Sequence, residues 1–196
     1  PGPVSRTVLD DLGGEVRLPD GPVGRVVSLV PSLTEAIAAT RPEALVGATD
    51  WCTHPADLDV PRVRGTKNPD RAAVAALTPE LVVCVQEENR ELDVRRLREA
   101  GVPVWVGVVE SVDDALRVLR TLLVDVLGWP EPTWLTETVE VLGGAGPAHD
   151  PPDGRDPAGD GRRQQRSLDG VDHGLVKRDL VLEKRPLRDL YFTLLN

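Results

Sequence analysis

The 196-residue sequence predicts an α/β fold, a parallel sheet flanked by helices and followed by an irregular tail. Three observations predict it. Short β-branched apolar runs recur at 25–30 (RVVSLV), 44–48 (ALVGA), 81–85 (LVVCV) and 102–108 (VPVWVGV). At least one of them, LVVCV, is continuous rather than alternating, as expected of a strand covered on both faces. Between and after them lie segments with helix-start residues and helical spacing of apolar side chains, so strand and helix alternate four times, the pattern of parallel strands joined by crossovers.

Taking the elements in order, residues 7–18 (TVLDDLGGEVRL) place Asp11 and Gly13-Gly14 between two short β-prone runs and predict a hairpin. The first apolar strand, 25–30, runs into Pro31-Ser32-Leu33-Thr34-Glu35, where Ser32 three residues ahead of Glu35 predicts a capping box and a helix through Ala39. After the strand at 44–48, residues 51–59 form a polar, Pro-containing loop. Asn68-Pro69-Asp70 predicts the next helix start, with Asn68 as N-cap, Pro69 in the first helical position and Asp70 complementing the helix dipole; Pro79 ends that helix. A charged amphipathic helix over 88–100 closes at Gly101, and Ser111 caps a long helix over 111–127 whose Val112, Ala115, Leu116, Leu119, Leu122, Leu123 and Val126 share one face. Residues 132–142 (PTWLTETVEVL) predict one more helix.

From 143 to 170, eleven of 28 residues are Gly or Pro and apolar periodicity disappears, so the stretch is expected to be largely disordered. Residues 171–196 regain Leu and Val around Pro186 and predict a strand and a short helix. The domain organisation expected is therefore a ligand-binding lobe over 1–127, a helix continuation over 128–142, and an out-of-family tail over 143–196.

Composition narrows the function. Hydrophobic residues make up 40% of the chain, but aromatics only 3% with no Met, so the core is expected to be Val, Leu, Ala and Ile. The first 142 residues hold 23 acidic and 14 basic side chains, which is the whole formal charge of −9, while the remainder is balanced at nine of each. Such a balance argues against nucleic acid as a partner, since phosphate binding needs clustered Lys and Arg. Cys52 and Cys84 form no disulfide framework and read as two half-buried thiols. No segment has the apolar length of a membrane span, and no secretion-signal pattern is present.

His54, His149 and His173 are far apart, and no paired-His metal motif, phosphate loop or nucleophile elbow appears. Polar and aromatic residues gather instead just past the predicted strand ends: 31–35, 51–54 and 87–89, with 64–68 as a further loop. Open α/β sheets bind ligands where these loops converge. Trp51, in an otherwise polar loop, reads equally as a ligand platform or as a cover for the sheet edge. Glu87 and Glu88 read first as a solvated helix start.

These same segments carry a resemblance. RVVSLVPSLTE at 25–35, VGATDWCTHP at 46–55 and VPRVRGTKNPDRAAVAALTPELVV at 60–83 are similar to the periplasmic cobalamin- and siderophore-binding proteins, the helical backbone metal receptors that serve ABC importers. The resemblance covers the N-terminal two-thirds of the chain. It implies one lobe of a two-lobed receptor with a rigid interlobe helix, the helix over 111–127 matching its start. It implies a non-enzymatic role: capture of cobalamin or a ferric siderophore in the interlobe cleft and delivery to a membrane permease, outside the cytoplasm, as a monomer with no intrinsic cofactor. Position by position, Trp51 matches an aromatic that packs on the ligand, Pro31, Ser32 and Leu33 match the first cleft loop, and Gly65, Thr66, Lys67 and Asn68 match the wall opposite Trp51. Backbone amides of 31–34 and 65–68 are expected to make the polar contacts. Asp70 matches an acidic residue that pairs with permease arginines. Any metal is expected to arrive inside its chelate, with His54 the nearest candidate for a direct bond. No second lobe is recognisable after the long helix, so the chain is expected to be truncated or to end in another reading frame. Two alternatives stay open: a cytosolic α/β enzyme or corrinoid- or nucleotide-binding protein using His54, Glu87 and Glu88, and an interaction module docking through Glu91 and Asp93.

Overall fold

The computed structural model describes residues 5–143. The expectations for 144–196 lie outside the described residues. The chain begins with the predicted hairpin, β1 (Ser5–Leu9) paired antiparallel with β2 (Glu15–Pro19). Its turn is shaped by Asp10, whose carboxylate accepts from the Leu12 and Gly14 N–H groups at 3.0 and 2.6 Å. Gly13, at φ +79°, takes the left-handed position that the turn requires.

The central sheet has four parallel strands in the order β4 (Leu45–Ala48), β3 (Val26–Ser28), β7 (Leu81–Val85) and β8 (Val104–Gly107). Every residue of β3, β7 and β8 is buried, as continuous apolar runs require when helices cover both faces. Around them stand α1 (Pro31–Thr40), α2 (Arg71–Ala76), α3 (Glu91–Glu99), α4 (Val112–Arg120) and α5 (Thr133–Gly143). Between β4 and α2 a two-residue hairpin pairs β5 (Arg64–Gly65) with β6 (Asn68–Pro69).

Local boundaries depart from expectation at five places, each for a physical reason. Helix α1 starts at Pro31, not after Ser32: Val30 is the N-cap without a side-chain bond, because the preset φ of proline suits the first helical position directly after the strand. Asn68 is strand rather than cap, and Asp70 caps α2 by accepting from Ala73 N–H at 3.0 Å. Helix α3 starts three residues late, at Glu91, because the turn before it is held by Asn89. The long helix over 111–127 is α only to Arg120, and Thr121–Val126 form a π-helical turn. The wider turn lets consecutive Leu122 and Leu123 both bury fully, together with Val126 and Leu127. Gly128 then takes φ +71°, 129–132 are not helical, and α5 is a separate helix over Thr133–Gly143 rather than a continuation from 128. Two predicted caps hold as read: Ser111 accepts from Asp114 N–H at 3.1 Å, and Gly101 ends α3 at φ +80°.

The core is aliphatic as expected, with two additions. Trp105 is fully buried and its indole N–H donates to Leu9 O at 3.3 Å, while buried Trp129 donates to Val23 O at 2.9 Å beneath the Arg41 guanidinium. Both cysteines are fully rather than half buried, and burial pushes the Cys84 thiol up to about 12. The hairpin turn is clamped to the sheet's helical cover by two ion pairs, Asp10 with Arg98 of α3 and Asp11 with Arg117 of α4.

Candidate functional site

The strand order creates the site. From β3 the chain passes through α1 to β4 on one side, and from β7 through α3 to β8 on the other. The loops leaving the carboxyl ends of adjacent β3 and β7 therefore diverge and open a crevice between them. Asn89 floors it. Its Oδ1 accepts from Val85 N–H at 3.2 Å, and its buried amide nitrogen donates to Thr66 O at 2.9 Å and Leu29 O at 3.5 Å. One side chain thus joins both strand ends to the β5–β6 hairpin. The sequence marked Asn89 only as the end of a polar run; nothing in its spacing tells which distant carbonyls it meets.

A second network sets the loop after β4. Thr34 of α1 donates to Val30 O at 2.9 Å and lies 3.0 Å from the Cys52 thiol, which is 3.2 Å from the Thr49 hydroxyl. The Arg62 guanidinium donates to the carbonyls of Thr49, Cys52 and Leu58 at 2.8–3.1 Å, and Asp50 N–H donates to Arg64 O at 2.9 Å. With its flanks held this way, Trp51 stands 68% exposed at the carboxyl end of the sheet. A Cβ on Gly65 would sit 3.3 Å from the indole nitrogen and 2.6 Å from Asn68 Oδ1, so a side chain there would crowd the indole and displace the exposed Asn68 carboxamide. At Gly65 the β5–β6 hairpin thus lies against the edge of the Trp51 indole.

The structure sorts the other expected residues. Pro31 is half-buried, but Ser32 is buried and Leu33 points into the core, so these two have backbone rather than side chains to offer. Their N–H groups belong to the first turn of α1, where intrahelical partners are missing. Thr66 is half-buried, and Lys67 and Asn68 are exposed. Asp70 serves α2 as its cap and lies 3.7 Å from the Arg64 guanidinium. His54 is exposed, with Nδ1 3.2 Å from the Thr53 hydroxyl and 3.9 Å from the buried Glu35 carboxylate. Glu87 accepts from Val109 N–H at 3.3 Å, joining the β7 and β8 loops. Half-buried Glu88 has its carboxyl pushed up chiefly by desolvation, with Lys67 pulling it down and Glu87 adding to the rise.

What this face offers is contact: an indole, backbone N–H groups, and the side chains of Thr66, Lys67 and Asn68. Among the described residues no three His, Cys, Asp or Glu side chains are placed to hold a metal ion. A separate cavity of about 780 Å³ runs along the flank between the hairpin turn at Leu12 and α3, reaching the face only at Gln86 and Asn89.

No family model matches the chain. Over 103 residues it is 27% identical to a vitamin B12-binding protein of Vibrio parahaemolyticus, covering 52% of this chain and 38% of that protein. A periplasmic solute-binding protein of Veillonella parvula superposes with a TM-score of 0.60 at 19% identity, over 71% of this chain and 46% of the other. A periplasmic heme-binding protein of Pseudomonas aeruginosa does so with a TM-score of 0.51 at 26% identity, over 63% and 48%. The chain thus spans less than half the length of each of these relatives. Its spaced motifs, its parallel sheet flanked by helices and these matches agree: the chain is similar in sequence to a vitamin B12-binding protein and carries one α/β lobe of the periplasmic-binding-protein fold.

Proposed function

We propose that this lobe supplies one wall of a cleft that captures a corrinoid or a ferric siderophore for an ABC importer, outside the cytoplasm, and hands it unchanged to the membrane permease. The observation that carries the reading is Trp51. Of the four tryptophans, Trp105 and Trp129 are buried and Trp134 donates to Thr40 at 3.2 Å, whereas Trp51 is held out to solvent at the carboxyl ends of the strands by bonds to its flanking backbone. A large apolar surface kept exposed at that place is an expense of stability with a use in ligand contact.

In this reading Trp51 packs on the chelate's organic framework. The backbone of Pro31, Ser32 and Leu33 and the hairpin residues Gly65, Thr66, Lys67 and Asn68 supply polar contacts. Asp70 is the proposed permease contact, and a permease arginine would there replace Arg64 as its partner. The protein needs no cofactor of its own, since the metal arrives inside its chelate, and it acts as a monomer. Among the described residues no helix is long and apolar enough to cross a membrane.

Titration with cobalamin and gallium siderophore complexes, followed by tryptophan fluorescence, tests the reading. Saturable quenching that disappears in Trp51→Ala is the expected result. Quenching that survives the substitution would move the ligand off this face, and a folded chain that binds none of these compounds would remove the receptor reading.

A further inference from the structure

We propose that the cavity along α3 is a subsite for an aliphatic tail on the captured chelate, so that the lobe favours chelates carrying an acyl chain. The inference rests on the receptor reading and deepens it to a ligand class.

The cavity is continuous with the face where the chelate would rest. The Trp51 indole lies against Gly65, the carbonyl of the next hairpin residue, Thr66, accepts from Asn89 at 2.9 Å, and Asn89 lines the near end of the cavity. A chelate packed on Trp51 therefore has that opening beside it. From there the cavity follows α3 from Glu91 to Glu99. That run rises about 12 Å, the length of an extended chain of about eight carbons. The volume, about 780 Å³, lies within the range of small-molecule sites.

Its lining suits an uncharged, apolar occupant. Val85 of β7, Val106 of β8 and Val94 of α3 lie along it, and Leu12 borders it from the hairpin turn, 51% exposed. That turn is tied down, Asp10 to Arg98 and Asp11 to Arg117, so Leu12 is held at the opening instead of folding into the core. Both guanidinium groups of the lining already face carboxylates: Arg98 the buried Asp10, and Arg95 the Glu99 carboxylate at 3.7 Å. An anionic head group thus finds no unengaged cation inside. A methylene chain laid between Leu12 and the valines removes its own apolar surface and that of Leu12 from water, which is the term that would hold it. The chain's origin follows from Glu91, which is exposed at the end next to Asn89. A free fatty acid entering there would bring its carboxylate beside Glu91, whereas a chain joined to the chelate through an amide brings no charge.

The test titrates the full chain with two gallium(III) hydroxamate complexes that differ only in an amide substituent, octanoyl or acetyl, below the concentration at which the octanoyl complex self-associates. Gallium replaces ferric iron and is diamagnetic, so backbone amide shifts can be followed beside tryptophan fluorescence. The octanoyl complex should bind about tenfold tighter and should move the amides of Leu12, Val94 and Val106. Leu12→Gln, an exposed position whose fold circular dichroism checks, should bring it to within about twofold of the acetyl complex. Equal affinity for the two complexes would overturn the inference and leave the receptor reading standing. A tenfold gain that survives Leu12→Gln, with no shifts at Leu12, Val94 and Val106, would put the chain elsewhere and overturn the assignment to this cavity. Sodium octanoate alone moving the same amides as strongly would make this a free fatty-acid site and overturn the link to the chelate. Binding of neither complex would remove the receptor reading and the inference together.

Discussion

The two ends of the sheet's cover are held by different chemistry. At the hairpin turn the ties are charged: buried Asp10 against Arg98, and Asp11 against Arg117 at 3.0 Å, with Trp105 packed beneath and bonded to Leu9 O. At the strand-end face the carboxamide of Asn89 and the hydroxyls of Thr34 and Thr49 do the holding, joined by Arg62, and the bonds run to backbone carbonyls and a thiol. The first arrangement fixes an edge and consumes the groups that make it. The second fixes loop backbones while leaving Trp51, Lys67 and Asn68 exposed. A lobe that must present surface at one place and close its edge at another has reason to use both.

Substitutions that treat the two regions alike should break or sharpen that contrast. Trp105→Ala should cost about 4 kcal/mol in chemical denaturation, as large buried aromatics do, while Trp51→Ala should change stability by less than about 0.5 kcal/mol. A similar loss at both would show that Trp51 is core and erase the distinction. Arg98→Ala strands the buried Asp10 carboxylate, which is 0% exposed, and should cost about 3 kcal/mol, at the low end for a broken buried pair because Arg98 itself is 34% exposed. Conversely, Asn89→Ala leaves Val85 N–H and two carbonyls without their partner and should cost about 2 kcal/mol. Amide exchange should then speed up in 64–69 but not in 10–14. Equal acceleration in both segments would mean that the two regions are one cooperative unit.

One expected effect is confined to alkaline pH and concerns Cys84. Its thiol is raised in the folded chain from its ordinary value near 9 to about 12, so the folded state keeps a proton that the unfolded state gives up. That contribution to stability is complete below pH 9 and is lost as pH rises toward 12. Denaturation midpoints of the parent chain should fall more steeply across that window than those of Cys84→Ala; parallel slopes would show that Cys84 does not govern the alkaline limb. Thiol reagents at neutral pH should likewise leave Cys84 unmodified until the chain unfolds.

Much of this was legible in the residues. The run at 81–85 became β7 without a shift of either end, Asp11 and Gly13-Gly14 made the hairpin turn, and Ser111 and Gly101 acted as caps, because each of those outcomes depends on neighbours within a few positions. The misplacements have separate causes. Ser32 lost its capping role to a proline one residue earlier, Asn68 was drawn into pairing with Gly65, and α3 was delayed by a side chain reaching 23 residues back to Thr66. The Leu33 side chain lies in the core, so only its backbone is open to the role that the resemblance gives it.

The sequence by itself determined the alternation of strand and helix, the acidic balance of the lobe, and the polar loops just past the strand ends, one of them carrying Trp51, since composition and short-range periodicity suffice for these. Only the tertiary structure decided which of those loops meet. The order β4-β3-β7-β8 puts residues 29, 66 and 89 within hydrogen-bond reach and places Gly65 against Trp51. Contacts of that kind depend on strand order and on the direction in which each crossover leaves the sheet, and no spacing along the chain encodes them one residue at a time.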